Sequence, residues 1–257
     1  MRSRWGCAAV FADGALGSQT AWMLRPFENS DSNYGIAVTP LPEMHQSVQR
    51  ALDNGLSVAI HAIGDRANRE MLDLFEELRP AERNLRCRIE HCQHLDVQDL
   101  PRFARLGIVC SVQPCHQPAD MQKVERFLGM ERVRGTYAFR SLLQSGAVLA
   151  FGSDAPVEPM DMLPNIHAAV TRTRPDGTPP GGWMPQERLS VPEAVYGFTM
   201  GAAYASGEER LKGSLSPRKV ADLVVLHEDI FTIDPKRIHE IQVDMTMVDG
   251  KVVYERK

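Results

Sequence analysis

His61, His91 and Asp154 each stand where a short apolar run breaks off, in VAIHAIGD, CRIEHCQH and VLAFGSDAP. Two imidazoles and a carboxylate are ligands that a zinc-like divalent ion accepts, and a catalytic site of this kind keeps one coordination position for water. Such a metal makes water more acidic and polarises a carbonyl, so an amide becomes open to attack near neutral pH. Asp154 would be the group that takes the water proton and passes it to the leaving nitrogen. Each residue also has a plainer role open to it: a hydrogen-bonded histidine for His61 or His91, a loop or helix cap for Asp154. Their joint placement at strand ends favours the metal.

Several neighbours belong to the same reading. His94 and His116 are expected in loops near the same mouth, in contact with substrate or with the metal ligands, or else simply exposed to solvent. Glu90 adjoins His91 but alternates to the other face, where an ion pair is its expected role. Cys92 is expected to fill core space. Asp13, in FADGALGS, marks another strand end, with a glycine-rich turn as the competing explanation.

The elements that must position these residues alternate between strand and helix. Met44, Val48 and Leu52 follow helical spacing until Asn54-Gly55, and LSVAI then reads as a buried strand closed by His61. Asp65 is expected to cap a helix whose Ala67, Met71, Leu74, Phe75 and Leu78 face the core up to Pro80. A strand from Arg86 to Glu90, a helix from Val97 to Leu106 and the strand IVCSV follow. A further helix carries Phe139, Leu142 and Leu143 into the strand AVLAF, which opens on Gly152-Ser153-Asp154. Such alternation implies right-handed crossovers and a parallel sheet, and polar residues at several strand ends favour a barrel over an open sheet.

Beyond that point, TRPDGTPPGGWMP must be a loop, with a lid, a rim or an ordinary connection as its roles. Ser190-Val191-Pro192-Glu193 has the form of a capping box opening a helix through Ala205. After Gly213 the pattern turns to strands, with Asp249-Gly250 marking a tight hairpin.

The 257 residues carry a net charge of −4, 43% apolar and 24% charged residues, and no long block of one sign. Nucleic acid is therefore not an expected partner, nor is a membrane. The opening MRSRWGCAAVFADG has no sustained apolar stretch, so it reads as neither a secretion signal nor an anchor, and a cytoplasmic location is expected. Cys7, Cys87, Cys92, Cys110 and Cys115 form an odd set without a C-x-x-C pair, which specifies neither a zinc knuckle nor a disulfide framework.

FADGALGSQTAWM, HAIGDRA, RIEHCQH and FGSDAPVEP occur in that order, followed by GSLSPRKVADLVVL and MVDGKVVYE. In these motifs the chain resembles the amidohydrolase superfamily, specifically the family-3 amidohydrolases of the YtcJ-like group, over nearly its whole length. The resemblance implies a metal-dependent hydrolase acting on non-peptide C–N bonds of small amide-like substrates through a metal-activated water. It implies an α/β barrel with a small β-sandwich assembled from both chain ends. His61 and His91 then correspond to ligands from the fifth and sixth barrel strands. Asp154 corresponds to the eighth-strand aspartate, a metal ligand and general base, with zinc as the expected ion.

Only about five barrel strands can be counted where a closed barrel needs about eight. The expected fold is therefore α/β: a partial TIM-type barrel, about its last five strands, over residues 1–212, and a β segment of the sandwich over residues 213–257. The eight histidines include no H-x-H pair of the kind the family carries on its first strand. Ala9 stands where the family usually places a lysine that can be carboxylated to bridge two metals. The expectation is an incomplete chain with impaired or no activity, whose exposed strand edges invite a homo-oligomer or a complementing chain. Its competitor is a non-catalytic remnant that associates in the same way. A third reading is a substrate-binding module around Trp183.

Overall fold

The computed structural model describes residues 7–257. The chain divides into two compact units, Met1–Val112 with Asp120–Leu149, and Gln113–Ala119 with Ala150–Lys257. Among the described residues, no helix is long and apolar enough to cross a membrane.

The first unit alternates β1 (Cys7–Phe11), α1 (Leu41–Asp53), β2 (Ser57–Ala62), α2 (Asp65–Leu78), β3 (Arg88–His91), α3 (Leu100–Leu106) and β4 (Val109–Val112). It also holds most of α4 (His116–Leu128) and all of α5 (Phe139–Gln144), which leads to β5 (Leu149–Phe151). The strands lie in the order β1-β2-β3-β4-β5, with parallel pairing through the first four. Parallel neighbours need a crossover, and the helices between successive strands supply it.

Register decides which residues share a face. Val58, Ile60, Ile89, Cys110 and Val112 are fully buried and form the apolar side. The buried stripes Met44, Val48 and Leu52 of α1 and Met71, Leu72 and Phe75 of α2 supply the helical side of this core. Burying a side chain the size of Phe75 stabilises by about 2–3 kcal/mol, so this layer holds the sheet together. On the opposite side Phe11, His61 and Glu90 stand in one cross-strand row and Ala9, Ala59 and Arg88 in the next. The sheet thus has an apolar face and a face bearing polar and small residues.

Two local features differ from the sequence reading. Asp65 is the first residue of α2 rather than its cap: Gly64 holds that position, and the Asp65 carboxylate accepts from the Leu24 and Arg66 amides at 2.7 and 2.9 Å. His116 is not in a loop but opens α4. Pro118 obscures that helix in the sequence, yet it falls in the first turn, where a missing N–H costs nothing.

The second unit contains α6 (Leu163–Thr171), α7 (Val191–Tyr196), α8 (Ala202–Ala205) and an antiparallel sheet of β6 (Leu223–Leu226), β7 (Val243–Val248) and β8 (Lys251–Glu255). Ser190 and Glu193 form the reciprocal capping box, each side chain bonding the other residue's backbone N–H. A widened turn at Gly197–Gly201 joins α7 to α8. Asp249 and Gly250 both take positive φ, 50° and 74°, as the hairpin between β7 and β8 requires. Trp183 is buried: its N–H donates to the Arg172 carbonyl and its own carbonyl accepts from Arg172 Nε. In that position it anchors the proline-rich loop.

Candidate metal centre

In the first unit three of the singled-out residues meet. His61, on β2, points its Nε2 at the Gly14 carbonyl oxygen 3.0 Å away. A carbonyl only accepts, so Nε2 carries a proton, and in the neutral ring Nδ1 holds the lone pair a metal needs. Asp13 lies behind the same nitrogen, with Oδ1 3.6 Å from Nε2. Its carboxylate accepts from the Trp22 and Gly64 amides at 2.8 Å each and from the Ile63 amide at 3.0 Å. Burial pushes the Asp13 carboxyl up to about 6, against the opposing pull of those three donors. Asp13 is therefore more than part of a glycine-rich turn, because it ties the loop after β1 to the end of β2.

His91 reaches the same place by an irregular route. Its register partner is Ala62, whereas Glu90 is the partner of His61. Strict alternation would turn the two imidazoles to opposite faces. Instead His91 and Cys92 take positive φ, 75° and 44°, and the His91 ring meets the His61 ring edge-on at 4.5 Å between centroids. Glu90 makes the expected ion pair, with Arg88, but in the cross-strand row that carries His61 rather than on the other face. Cys92 is buried and its thiol donates to the Ile89 carbonyl, in keeping with a core filler.

His94 is not exposed to solvent. Both its nitrogens are engaged inside the unit, Nδ1 with Thr136 Oγ1 at 3.1 Å and Nε2 with Gln93 Nε2 at 3.2 Å. Desolvation pushes its pKa down to about 3, so the ring stays neutral. The network continues through Gln93 to Asp120, which also accepts from the Tyr137 hydroxyl at 2.9 Å.

In the second unit His116, at the start of α4, and Asp154, three residues past β5, bring an imidazole nitrogen and a carboxylate oxygen within 4.8 Å of each other. Asp154 also takes a positive φ, 59°, and its carbonyl accepts from the Val157 amide at 2.8 Å. Asn165 of α6 accepts from the Cys115 amide at 3.0 Å and so holds the segment just ahead of His116. Gln117, the next residue, is fully buried, and neither amide atom has a hydrogen-bond partner among the described residues. Sequence reasoning did not single out Gln117, because it stands in a polar run that gives no sign of burial.

The sequence model described as the amidohydrolase family matches residues 3–254. The chain is 40% identical to the Arabidopsis thaliana protein LONG AFTER FAR-RED 3 over 98% of its own length and 44% of that protein. It is 34% identical to YtcJ of Bacillus subtilis, over 98% of this chain and 47% of YtcJ. An N-substituted formamide deformylase from Arthrobacter pascens is 28% identical, over 98% of this chain and 46% of the enzyme. The chain thus spans about half the length of these relatives. Among solved structures, an uncharacterized metal-dependent hydrolase from Pyrococcus horikoshii superposes with a TM-score of 0.79 at 33% identity, over 88% of this chain and 45% of that one.

Proposed function

As the chain belongs to the amidohydrolase family, we propose that it carries ligands of a metal-dependent hydrolase that cleaves a non-peptide carbon–nitrogen bond of a small amide-like substrate. The observation that carries this reading is the apposition of His116 and Asp154, an imidazole and a carboxylate set within 4.8 Å. In the first unit His61 and His91, set edge-on, are assigned as ligands too, His61 through Nδ1. The donors fit a zinc-like ion, because neutral imidazole nitrogen and carboxylate oxygen are what it binds.

When bound, the metal supplies Lewis acidity toward a water and the substrate carbonyl. The remaining work falls to the chain. Asp154 accepts the proton that the attacking water loses and returns it to the leaving nitrogen. The Gly14 carbonyl holds His61 in the tautomer that keeps Nδ1 free. His94, neutral and doubly bonded, braces the turn that follows His91. The bond class is supported by the Arthrobacter pascens relative, whose name specifies an N-substituted formamide.

In this reading the five-stranded sheet is the last five strands of a barrel, and residues 213–257 are one share of a β-sandwich. The test is metal loading followed by a panel of N-substituted formamides and related amides. Stoichiometric zinc, lost together with hydrolysis in Asp154→Ala, supports it; a folded chain that stays metal-free in excess zinc refutes it.

A second reading, a chain without hydrolytic activity of its own that associates with a copy or a complementing chain, is favoured by β8. There Val252, Val253 and Tyr254 are all about half or more exposed, apolar side chains that a second chain would cover. Size analysis checks it: a strict monomer counts against it.

A further inference from the structure

The least expected side chain near His61 is Asp13. It is buried, it accepts three backbone N–H groups, and one of its oxygens still faces His61 Nε2 at 3.6 Å. The three donors need only part of a carboxylate's capacity. Oδ2 takes Trp22 and Gly64, while Oδ1 takes Ile63 alone and keeps a lone pair on the His61 side. The hydrogen bond from Nε2 itself goes to Gly14, the residue next to Asp13. Asp13 therefore does two things at the imidazole: it fixes the backbone that presents the Gly14 carbonyl, and it sets a negative charge beside the protonated nitrogen.

We infer that Asp13 is a positioning residue, whose charge and backbone bonds hold His61 as the Nε2–H tautomer with Nδ1 turned outward as a metal ligand. The role rests on the proposed metal centre for its use, but the tautomer is a property of the metal-free chain. Carboxylates in this relation to a ligating imidazole orient the ring and raise its basicity. Here the link is especially rigid. Gly64 approaches the Trp22 carbonyl so closely that a Cβ would lie 2.0 Å from its oxygen, so the carboxylate and its donors have little room to rearrange.

The test uses the full chain labelled with 15N at histidine, read by NMR without metal, followed by zinc titration. The wild type is expected to show His61 as Nε2–H with an unprotonated Nδ1. Asp13→Asn, which removes the charge at nearly constant size, is expected to mix the two tautomers and to weaken zinc about 10- to 100-fold. A folded Asp13→Asn protein with the wild-type tautomer and wild-type zinc affinity overturns the inference and leaves Asp13 as a structural tie, even if its melting temperature falls. Should Asp13→Asn not fold, Asp13→Glu decides. Retention of the Nε2–H form, with zinc affinity within about threefold, supports a charge-based role, and a folded Glu variant in the Nδ1–H form overturns it. If the wild type binds no zinc, the metal reading fails, while the tautomer spectra still judge Asp13.

Discussion

His91 sets the edge of its imidazole against His61, ring centroids 4.5 Å apart and planes at 71°, although its register partner across the strands is Ala62. The left-handed backbone at His91 and Cys92 makes this contact possible. Positive φ at a residue with a side chain costs on the order of 1–2 kcal/mol, and such strain persists only where surrounding bonds hold it.

Cys92 is therefore sensitive to shape. Cys92→Val, β-branched at positive φ and larger in a buried position, is expected to destabilise by about 2–3 kcal/mol in urea unfolding. Cys92→Ala is expected to cost about 1 kcal/mol or less. Equal stability of the Val variant would mean that the backbone at 91–92 relaxes freely.

Metal affinity should separate the histidines. His116→Ala and Asp154→Asn are each expected to weaken zinc binding at least tenfold by competition with a chromophoric chelator. His94→Gln is expected to leave zinc affinity within a factor of about three while lowering the melting temperature, because His94 spends both nitrogens on Thr136 and Gln93. Zinc affinity unchanged in Asp154→Asn would remove that residue from the ligand set.

Acid should loosen the second unit at a specific place. His167 of α6 is buried against His239, ring centroids 4.6 Å apart, and desolvation, with the neighbouring imidazole adding to it, pushes its pKa down from 6.5 to about 4. The unfolded chain therefore binds this proton more readily than the folded one, so stability is full above pH 6.5 and falls as the pH drops toward 4. The loss is on the order of 3 kcal/mol once the pH is below about 4. His167→Phe should flatten that part of the stability profile measured by denaturant titration between pH 7 and 4. A slope identical to wild type would assign the acid sensitivity to other groups.

Gly197 tests the packing of the turn between α7 and α8. A Cβ there would meet the Phe151 ring at 2.8 Å, so Gly197→Ala is expected to destabilise by about 1–3 kcal/mol despite its better helix propensity. A variant as stable as wild type would show that the Phe151 ring can move aside.

Much of this molecule follows from periodicity. The apolar runs around Val58-Ile60, Ile89 and Cys110-Val112 gave strands because β-branched, uniformly apolar segments suit a buried parallel sheet, and the stripes of α1 and α2 gave the helices that cover it. The Ser190 capping box and the Asp249-Gly250 hairpin are chemistry local to four residues or fewer, so they are readable without the fold. The α4 helix was not, since Pro118 and the polar run around it look like a loop until the first-turn position is known.

His61, His91 and Asp154 were visible as polar residues ending apolar runs, because strand ends leave that mark in any sequence. Their surroundings were not visible. That Asp13 stands behind His61, that His91 bends back onto its neighbour, that His94 is buried against Thr136, and that His116 approaches Asp154 all depend on residues 30 to 48 positions apart and on left-handed backbone at particular points. Sequence alone determined which polar side chains lie at or just beyond the ends of the strands, through the apolar runs they interrupt. Tertiary structure decided which hydrogen bonds their nitrogens and oxygens make, because that allocation is made by backbone and side-chain groups they meet only once the chain has folded.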